Sequence, residues 1–265
     1  MLYYSLNERR DKMELERLLT SILDLGEQML LCGAEISRVE DTVKRICYKY
    51  GCKKVDIFAI TSVIFLTLTD EDDNFRSSSR RVQKYNTNLD KLHKYNALSR
   101  KICSEENPKI ETLEHGIAEI SSEKHYPLYV QCLACALIAS AFTVFFGGSF
   151  FDAAASSVIG IILKLIIHFT NKTKVNMVFA NVVCSAVACF LAFTLVKLGF
   201  GRDVSMIIIG NIMIMIPGVA LTNSIRDIIS GDIMSGLLRA CEAIVIALAI
   251  AAGYILVALV FGGAV

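Results

Sequence analysis

Hydrophobic and polar positions change their rhythm several times along the chain, and each change marks an element. Residues 14–31 place Leu15, Leu18, Leu19, Ile22, Leu25, Met29 and Leu30 on one stripe of period 3.6, which predicts a helix ended by Gly33. A second stripe, Ile36, Val39, Val43, Ile46, Cys47 and Tyr50, predicts another helix stopped by Gly51, so the two form a helical hairpin. The run VDIFAITSVIFLTLT (55–69) is rich in β-branched and aromatic residues and reads as a strand. A DEDDN turn (70–74) follows, with FRSSSRRVQ (75–83) as the hairpin partner. Helical spacing returns over Thr87–Glu106 and Ile110–Glu123, split by Asn107-Pro108. The pattern predicts a cytoplasmic α+β domain over 1–126.

At Pro127 the alternation stops and the chain becomes almost continuously apolar to residue 265. A water-soluble core cannot absorb that much apolar surface in one block, whereas a bilayer can. Hydropathy divides 127–265 into an α-helical polytopic membrane domain of five transmembrane helices, about 127–147, 152–169, 175–197, 204–222 and 238–261. Tyr126 and Tyr129 stand at the first interface; Trp is absent, so Tyr and Phe form any aromatic belt.

Charge refines this picture. After Pro127 there are seven Lys/Arg and five acids, which leaves 20 basic and 21 acidic residues of the totals 27 and 26 before it. A near-neutral front half lacks the basic excess of a phosphate-binding face, so nucleic acid is not an expected partner. The start, MLYYSLNERRDKMELE, meets charge before building the ~7–15-residue apolar core of a secretory signal, so the N-terminus is expected in the cytoplasm. Lys172 and Lys174 in the 2–3 loop, and Arg226 and Arg239 before the fifth span, fall inside on that assignment; GGSFFD and the uncharged tail FGGAV fall outside. Only Lys197 and Arg202 oppose it. The expected location is the cytoplasmic (inner) membrane, with an external C-terminus.

Candidate chemistry is sparse in the front half. Glu35 and Glu40 flank the second helix's apolar stripe and Arg38 projects from the opposite side, with Asp24, Glu27 and Asp41 nearby. Paired carboxylates can do acid–base work or be a solvated helix face. No GxSxG elbow surrounds Thr61-Ser62 or Ser77–Ser79, and no glycine-rich phosphate loop occurs, so no catalytic residue and no cofactor is assigned. Nine cysteines and four histidines follow no metal-ligand spacing; Cys132 and Cys135 share a helix face as packing residues.

The back half holds its polar groups between 210 and 242. Pro217-Gly218 interrupts an apolar run, and interrupted membrane helices expose backbone groups to a solute. Asn223, Arg226, Asp227, Asp232, Arg239 and Glu242 follow. Spacing allows Arg226 to meet Asn223, and Arg239 to meet Asp232 or Glu242. These groups either form a cytoplasmic loop with Asp232 capping the fifth span, or a gate in which Arg226 or Arg239 holds a cargo carboxylate and Asp227, Asp232 or Glu242 takes a proton. Asp152 is either a helix cap or a proton or solute group. Lys164 reads as snorkelling, and Asn176, Asn181 and Asn211 as inter-helix hydrogen-bonding groups.

LDLGEQMLLCGAEISRVEDTVKRI (23–46), FAITSVIFLTL (58–68), SSRRV (78–82) and IPGVALTNSIRDIISGDIMSGLLRACEA (216–243) together resemble the threonine/serine exporter family, in both halves of the chain. Fused members of that family carry about ten spans, so a chain of five is similar to its split, YjjP-like form. The resemblance implies a secondary exporter of small hydrophilic metabolites, threonine and serine or a dicarboxylate such as succinate, working with a second small membrane subunit. It also implies a hydrolase-like N-terminal domain, for which 1–126 offers no matching nucleophile and base. Two further readings use other chemistry: a membrane-anchored enzyme acting through Glu35, Arg38 and Glu40, and a sensor whose N-terminal domain binds the metabolite. Small–xxx–small spacings such as Ala136–Ser140 and Ala249–Gly253 would also suit a homo-oligomer.

Overall fold

The computed structural model describes residues 2–83, 87–124, 126–173 and 175–261. Lys174 and the tail beyond Phe261, both used above to orient the chain, lie outside the described residues. The chain divides into two compact units, one of Met1–Lys124 with Val219–Ala240, the other of His125–Gly218 with Cys241–Val265.

The first unit begins with helices α1 (Leu2–Leu31) and α2 (Ile36–Lys49). α1 closes as its sequence demands: Gly33 adopts φ +91, and the N–H groups of Gly33 and Ala34 return to the carbonyls of Leu30 and Met29. Beyond them the structure departs from the sequence reading. The run 55–69 is two strands, β1 (Lys54–Ile60) and β2 (Val63–Thr69), joined at Thr61-Ser62, and β3 (Phe75–Arg81) completes an antiparallel sheet of order β1-β2-β3. The turn lacks glycine, asparagine and proline, so nothing in its composition marks it. Its trace is a change of parity: Val55 and Ala59 are buried before the turn, Ile64, Leu66 and Leu68 after it.

Helices α3 (Leu89–Ser104) and α4 (Ile110–Ser122) follow where the periodicity places them, and Asn88 caps α3 by accepting from the Lys91 N–H. One face of the sheet joins Ile22, Leu25, Met29, Val39, Val43, Tyr95, Ile102 and Leu113 in a single core. Arg17 bridges α1 to Glu111 and Glu114 of α4. Two later elements complete the unit: α9 (Gly218–Ile229) from Val219 onward, and α10 (Ile233–Val260) as far as Ala240.

The second unit contains α5 (Leu128–Phe145), α6 (Phe150–Lys172), α7 (Met177–Lys197), α8 (Val204–Ile212) and α10 from Cys241. Four helices among the described residues, α5, α6, α7 and α10, are long and apolar enough to cross a membrane. The fourth expected span, 204–222, is two short helices, broken where Pro217-Gly218 interrupts the run: α8 ends at Ile212 and α9 starts at Gly218, with Pro217 supplying no N–H between them.

Close helix approach within this unit depends on small residues. A Cβ added at Gly160 would lie 2.8 Å from the Cys135 carbonyl oxygen, and one at Gly210 would lie 2.0 Å from Thr143 Oγ1. Thr143 and Ser156 bond to each other at 2.6 Å in the apolar interior. The inter-helix role expected for the asparagines is not what their bonds show. Asn176 caps α7, Asn211 Nδ2 donates to Ile207 within its own helix, and Asn181 Nδ2 is buried with no hydrogen-bond partner.

Candidate functional site

Helix α2 starts with a deficit. Its first N–H groups need acceptors, and Glu35 at the cap position places no side chain on them. The acceptor comes from 191 residues further along the chain: Asp227 Oδ1 of α9 lies 3.4 Å from the Ile36 nitrogen. A carboxylate there also complements the positive end of the α2 dipole.

Asn223, Ser224 and Asp227 share one buried face of α9. Asn223 Nδ2 donates to the Gly33 carbonyl at 2.9 Å, and Arg226 pairs with Glu35. The corner after α9 then turns the chain back. Gly231 takes φ +96, and the Asp232 N–H returns to the Asp227 carbonyl at 2.9 Å. Ser224 Oγ donates to the Gly236 carbonyl at 2.7 Å. A side chain at Gly236 would bring its Cβ to 2.6 Å from the Ser224 carbonyl oxygen, so the two helices meet there backbone to backbone.

This corner aims Arg239 at the same turn. Its guanidinium donates to the Ala34 carbonyl at 2.8 Å, and its Nε lies 3.5 Å from Asp227 Oδ2. Side chains from residues 223–239 thus hold every residue from Gly33 to Ile36. Asp227 is fully buried and Arg239 nearly so. A buried pair of this kind tolerates loss of neither partner, because the survivor is left charged and desolvated. Asp227 Oδ2 makes no hydrogen bond, its nearest charge being that guanidinium.

Burial dominates the electrostatics and pushes the Asp227 carboxyl up from its ordinary value; Arg239 and the Ile36 N–H pull it down, while Asp232 and Glu35 push it further up. Asp232, just before α10, is also raised by burial. Glu40 is raised mainly by burial, although its carboxylate accepts the Ala59 N–H of β1 at 2.8 Å, and Asp232 adds to that rise. Arg38 is exposed, 3.9 Å from Glu35.

Of the residues singled out from sequence, Asn223, Arg226, Asp227 and Arg239 converge with Glu35 on one turn, with Arg38, Glu40 and Asp232 around them. The pairings allowed by spacing, Arg226 with Asn223 and Arg239 with Asp232 or Glu242, give way to partners on and around the α1–α2 turn, because the corner at Gly231 folds the segment onto itself. Pro217 and Gly218 stand at the break between α8 and α9, with open space where a Gly218 Cβ would sit. Glu242 is exposed on α10, in the second unit.

Asp152 also belongs to the second unit. Ser149, not Asp152, is the cap residue of α6, and Asp152 is its capping-box partner. Its other oxygen accepts the N–H groups of Arg202 and Asp203 at 2.6 and 3.0 Å. Sequence reasoning missed the backbone of Gly33, Ala34 and Ile36 as the target of the charged segment. One signal was present: a strong amphipathic helix preceded by Glu, a poor capping residue, needs its cap from elsewhere. No group of three metal-ligating side chains occurs among the described residues.

Comparison with known proteins bears on this arrangement. The family model described as "Putative threonine/serine exporter" matches residues 20–262, from α1 to the end of α10. A "Threonine/serine exporter" of Corynebacterium glutamicum is 27% identical over 237 residues, covering 86% of this chain and 48% of that protein. A "Probable threonine/serine exporter" of Mycobacterium tuberculosis is 21% identical over 249 residues, covering 93% of this chain and 46% of that protein. The chain therefore spans about half the length of these curated relatives. No solved structure matches it. With a match that runs through both units and contains the turn at Gly33 and the charges that hold it, the chain belongs to the threonine/serine exporter family.

Proposed function

We propose that this protein is a subunit of a cytoplasmic-membrane secondary exporter that moves small hydrophilic metabolites outward by proton antiport. Threonine and serine are the proposed cargo, named for the relatives, with a dicarboxylate such as succinate as the alternative. The observation that carries the reading is the set of contacts made by Asn223, Arg226, Asp227 and Arg239 on the Gly33–Ile36 turn, directly after the helix break at Pro217. A buried carboxyl raised by its surroundings is suited to take up a proton, and Asp227 has that character. Arg226 keeps about half of its side chain exposed and can exchange Glu35 for a cargo carboxylate. Asp232 and Glu242 are the remaining acids proposed for proton handling, and Asp152 is proposed to hold α6 to the 202–203 segment.

A second membrane subunit completes the transporter on this reading, since the chain matches about half of each relative. The N-terminal unit is proposed to face the cytoplasm; an external C-terminus further requires the 204–217 segment to make the remaining crossing between α7 and α10. Retention of threonine, serine and succinate in cells lacking the gene, with and without an uncoupler, separates cargo from coupling. Accumulation of threonine and serine that the uncoupler reproduces in wild-type cells is expected. Accumulation of succinate alone would move the cargo to dicarboxylates, and unchanged levels of all three would remove the export reading.

A further inference from the structure

The corner α9–α10 is amphipathic the wrong way round for a water-soluble unit. Its polar face, Asn223, Ser224, Asp227 and Arg239, is buried against protein. Its apolar face points outward: Ile225 is 55% exposed, Ile229 80%, Ile233 63%, Met234 65% and Leu237 55%. Leu221, Ile225 and Ile229 follow each other at i, i+4 and i+8, so they form one continuous stripe on α9. An apolar stripe of that length is costly in water, and beyond the Ser230–Asp232 corner exposed apolar residues resume at Ile233 and Met234 of α10, a helix long and apolar enough to cross a membrane.

We propose that the bilayer interface covers this face, with α9 lying in the plane of the membrane. Length decides the orientation. The 12 residues of α9 reach only about 18 Å as a helix, against a hydrocarbon core of about 30 Å, so it can lie at the surface but cannot span. Composition agrees, because the charges on the buried face are already partnered by protein, while Arg226 at the rim has a long stem that lets its head reach the phosphate layer. The occupant follows from continuity: the segment leaves one apolar run at Ile216 and enters a membrane-length helix at Ile233, so its exposed side chains begin and end at the lipid. The clasp on the Gly33–Ile36 turn is thereby held within reach of the headgroups.

The chain contains no tryptophan, which makes a direct test available. Single variants Ile229→Trp and Ile225→Trp, with Phe58→Trp on the exposed face of β1 as the water-facing control, are prepared in the full chain. Each is reconstituted into phosphatidylcholine/phosphatidylglycerol vesicles with or without bromine on the acyl chains. The expected result is blue-shifted emission at 229 and 225 that brominated lipid quenches strongly and iodide does not, with the reverse at 58. Quenching of 229 and 225 by iodide, as at 58, would show a water-facing helix and overturn the proposal. Shielding from both quenchers would also overturn it, by showing that protein covers the stripe. Two variants on one face keep the test decisive if either substitution prevents folding.

Discussion

Asp227 accepts the backbone N–H of Ile36 and lies beside Arg239, whose guanidinium donates to the neighbouring Ala34 carbonyl. The start of α2 is thus built by a carboxylate and a guanidinium from α9 and α10. Removing either member takes this opposite charge away from a buried partner. Asp227→Ala and Arg239→Ala are each expected to destabilise the N-terminal unit by about 3 kcal/mol. The double variant should cost much less than their sum, because it strands no charge. Thermal unfolding of the detergent-solubilised protein measures all three. Additive losses would show that the two side chains do not act as a pair.

Arg226 predicts a different balance. Its ion pair with Glu35 is about half exposed on the arginine side, and such pairs contribute only up to about 1 kcal/mol. Arg226→Ala should therefore leave the melting temperature nearly unchanged while lowering export, with the loss expressed at low internal cargo concentration. Normal export by a stable Arg226→Ala protein would take this residue out of cargo handling.

Acidity should favour the N-terminal unit over a limited range. Burial raises the carboxyls of Asp24, Glu27, Glu40, Asp227 and Asp232 above their ordinary values of 3.8 for Asp and 4.5 for Glu. A carboxyl raised in the fold binds its proton more tightly there than in the unfolded chain. Its contribution to stability therefore grows as pH falls through the raised value and is complete below the ordinary one. Glu114 acts in the opposite sense, since its bond from Arg17 lowers it, but that contribution is lost only as pH falls below 4.5. The melting temperature is expected to hold or rise between pH 7 and about pH 5, and Asp227→Asn should remove part of the rise. A steady fall over that interval, unaltered in Asp227→Asn, would contradict the burial of these groups.

In the second unit, glycine positions separate packing from function. An alanine Cβ at Gly210 would meet the Ala139 carbonyl oxygen at 2.8 Å as well as Thr143, and one at Gly253 would meet the Val182 carbonyl oxygen at 2.3 Å. Each substitution to alanine is expected to cost about 1–3 kcal/mol through displaced backbone. Gly218→Ala should be tolerated, because nothing lies within 4 Å of the added carbon. Heat resistance of the purified variants checks the order. Loss of export by a stable Gly218→Ala protein would place its effect at the α8–α9 break rather than in packing.

How much of this was legible in the sequence differs by element. The stripes of α1 and α2, the stop at Gly33 and the apolar block after Pro127 follow from periodicity and composition, which are local properties. The turn at Thr61-Ser62 was hidden because no turn-forming residue marks it; only the shift of buried positions from Val55 and Ala59 to Ile64 and Leu66 records it. Pro217 and Gly218 announced a break, but not that the helix beyond it turns its polar face to the α1–α2 turn. The charges of 223–239 were recognisable as unusual in an apolar run. Their partners were not, because Ile36 and Asp227 are 191 residues apart and the acceptors on the turn are backbone carbonyls, which carry no side-chain signature.

Export itself is tested most directly by loading cells with a threonine-containing dipeptide, which peptidases hydrolyse inside, and timing the appearance of free threonine outside. Three strains suffice: one with the gene, one without it, and one carrying Asp227→Ala. The gene should accelerate threonine release and lower its internal level, and Asp227→Ala should behave like the deletion despite normal hydrolysis of the dipeptide. Identical release curves with and without the gene would contradict the assignment of this protein to an exporter of threonine.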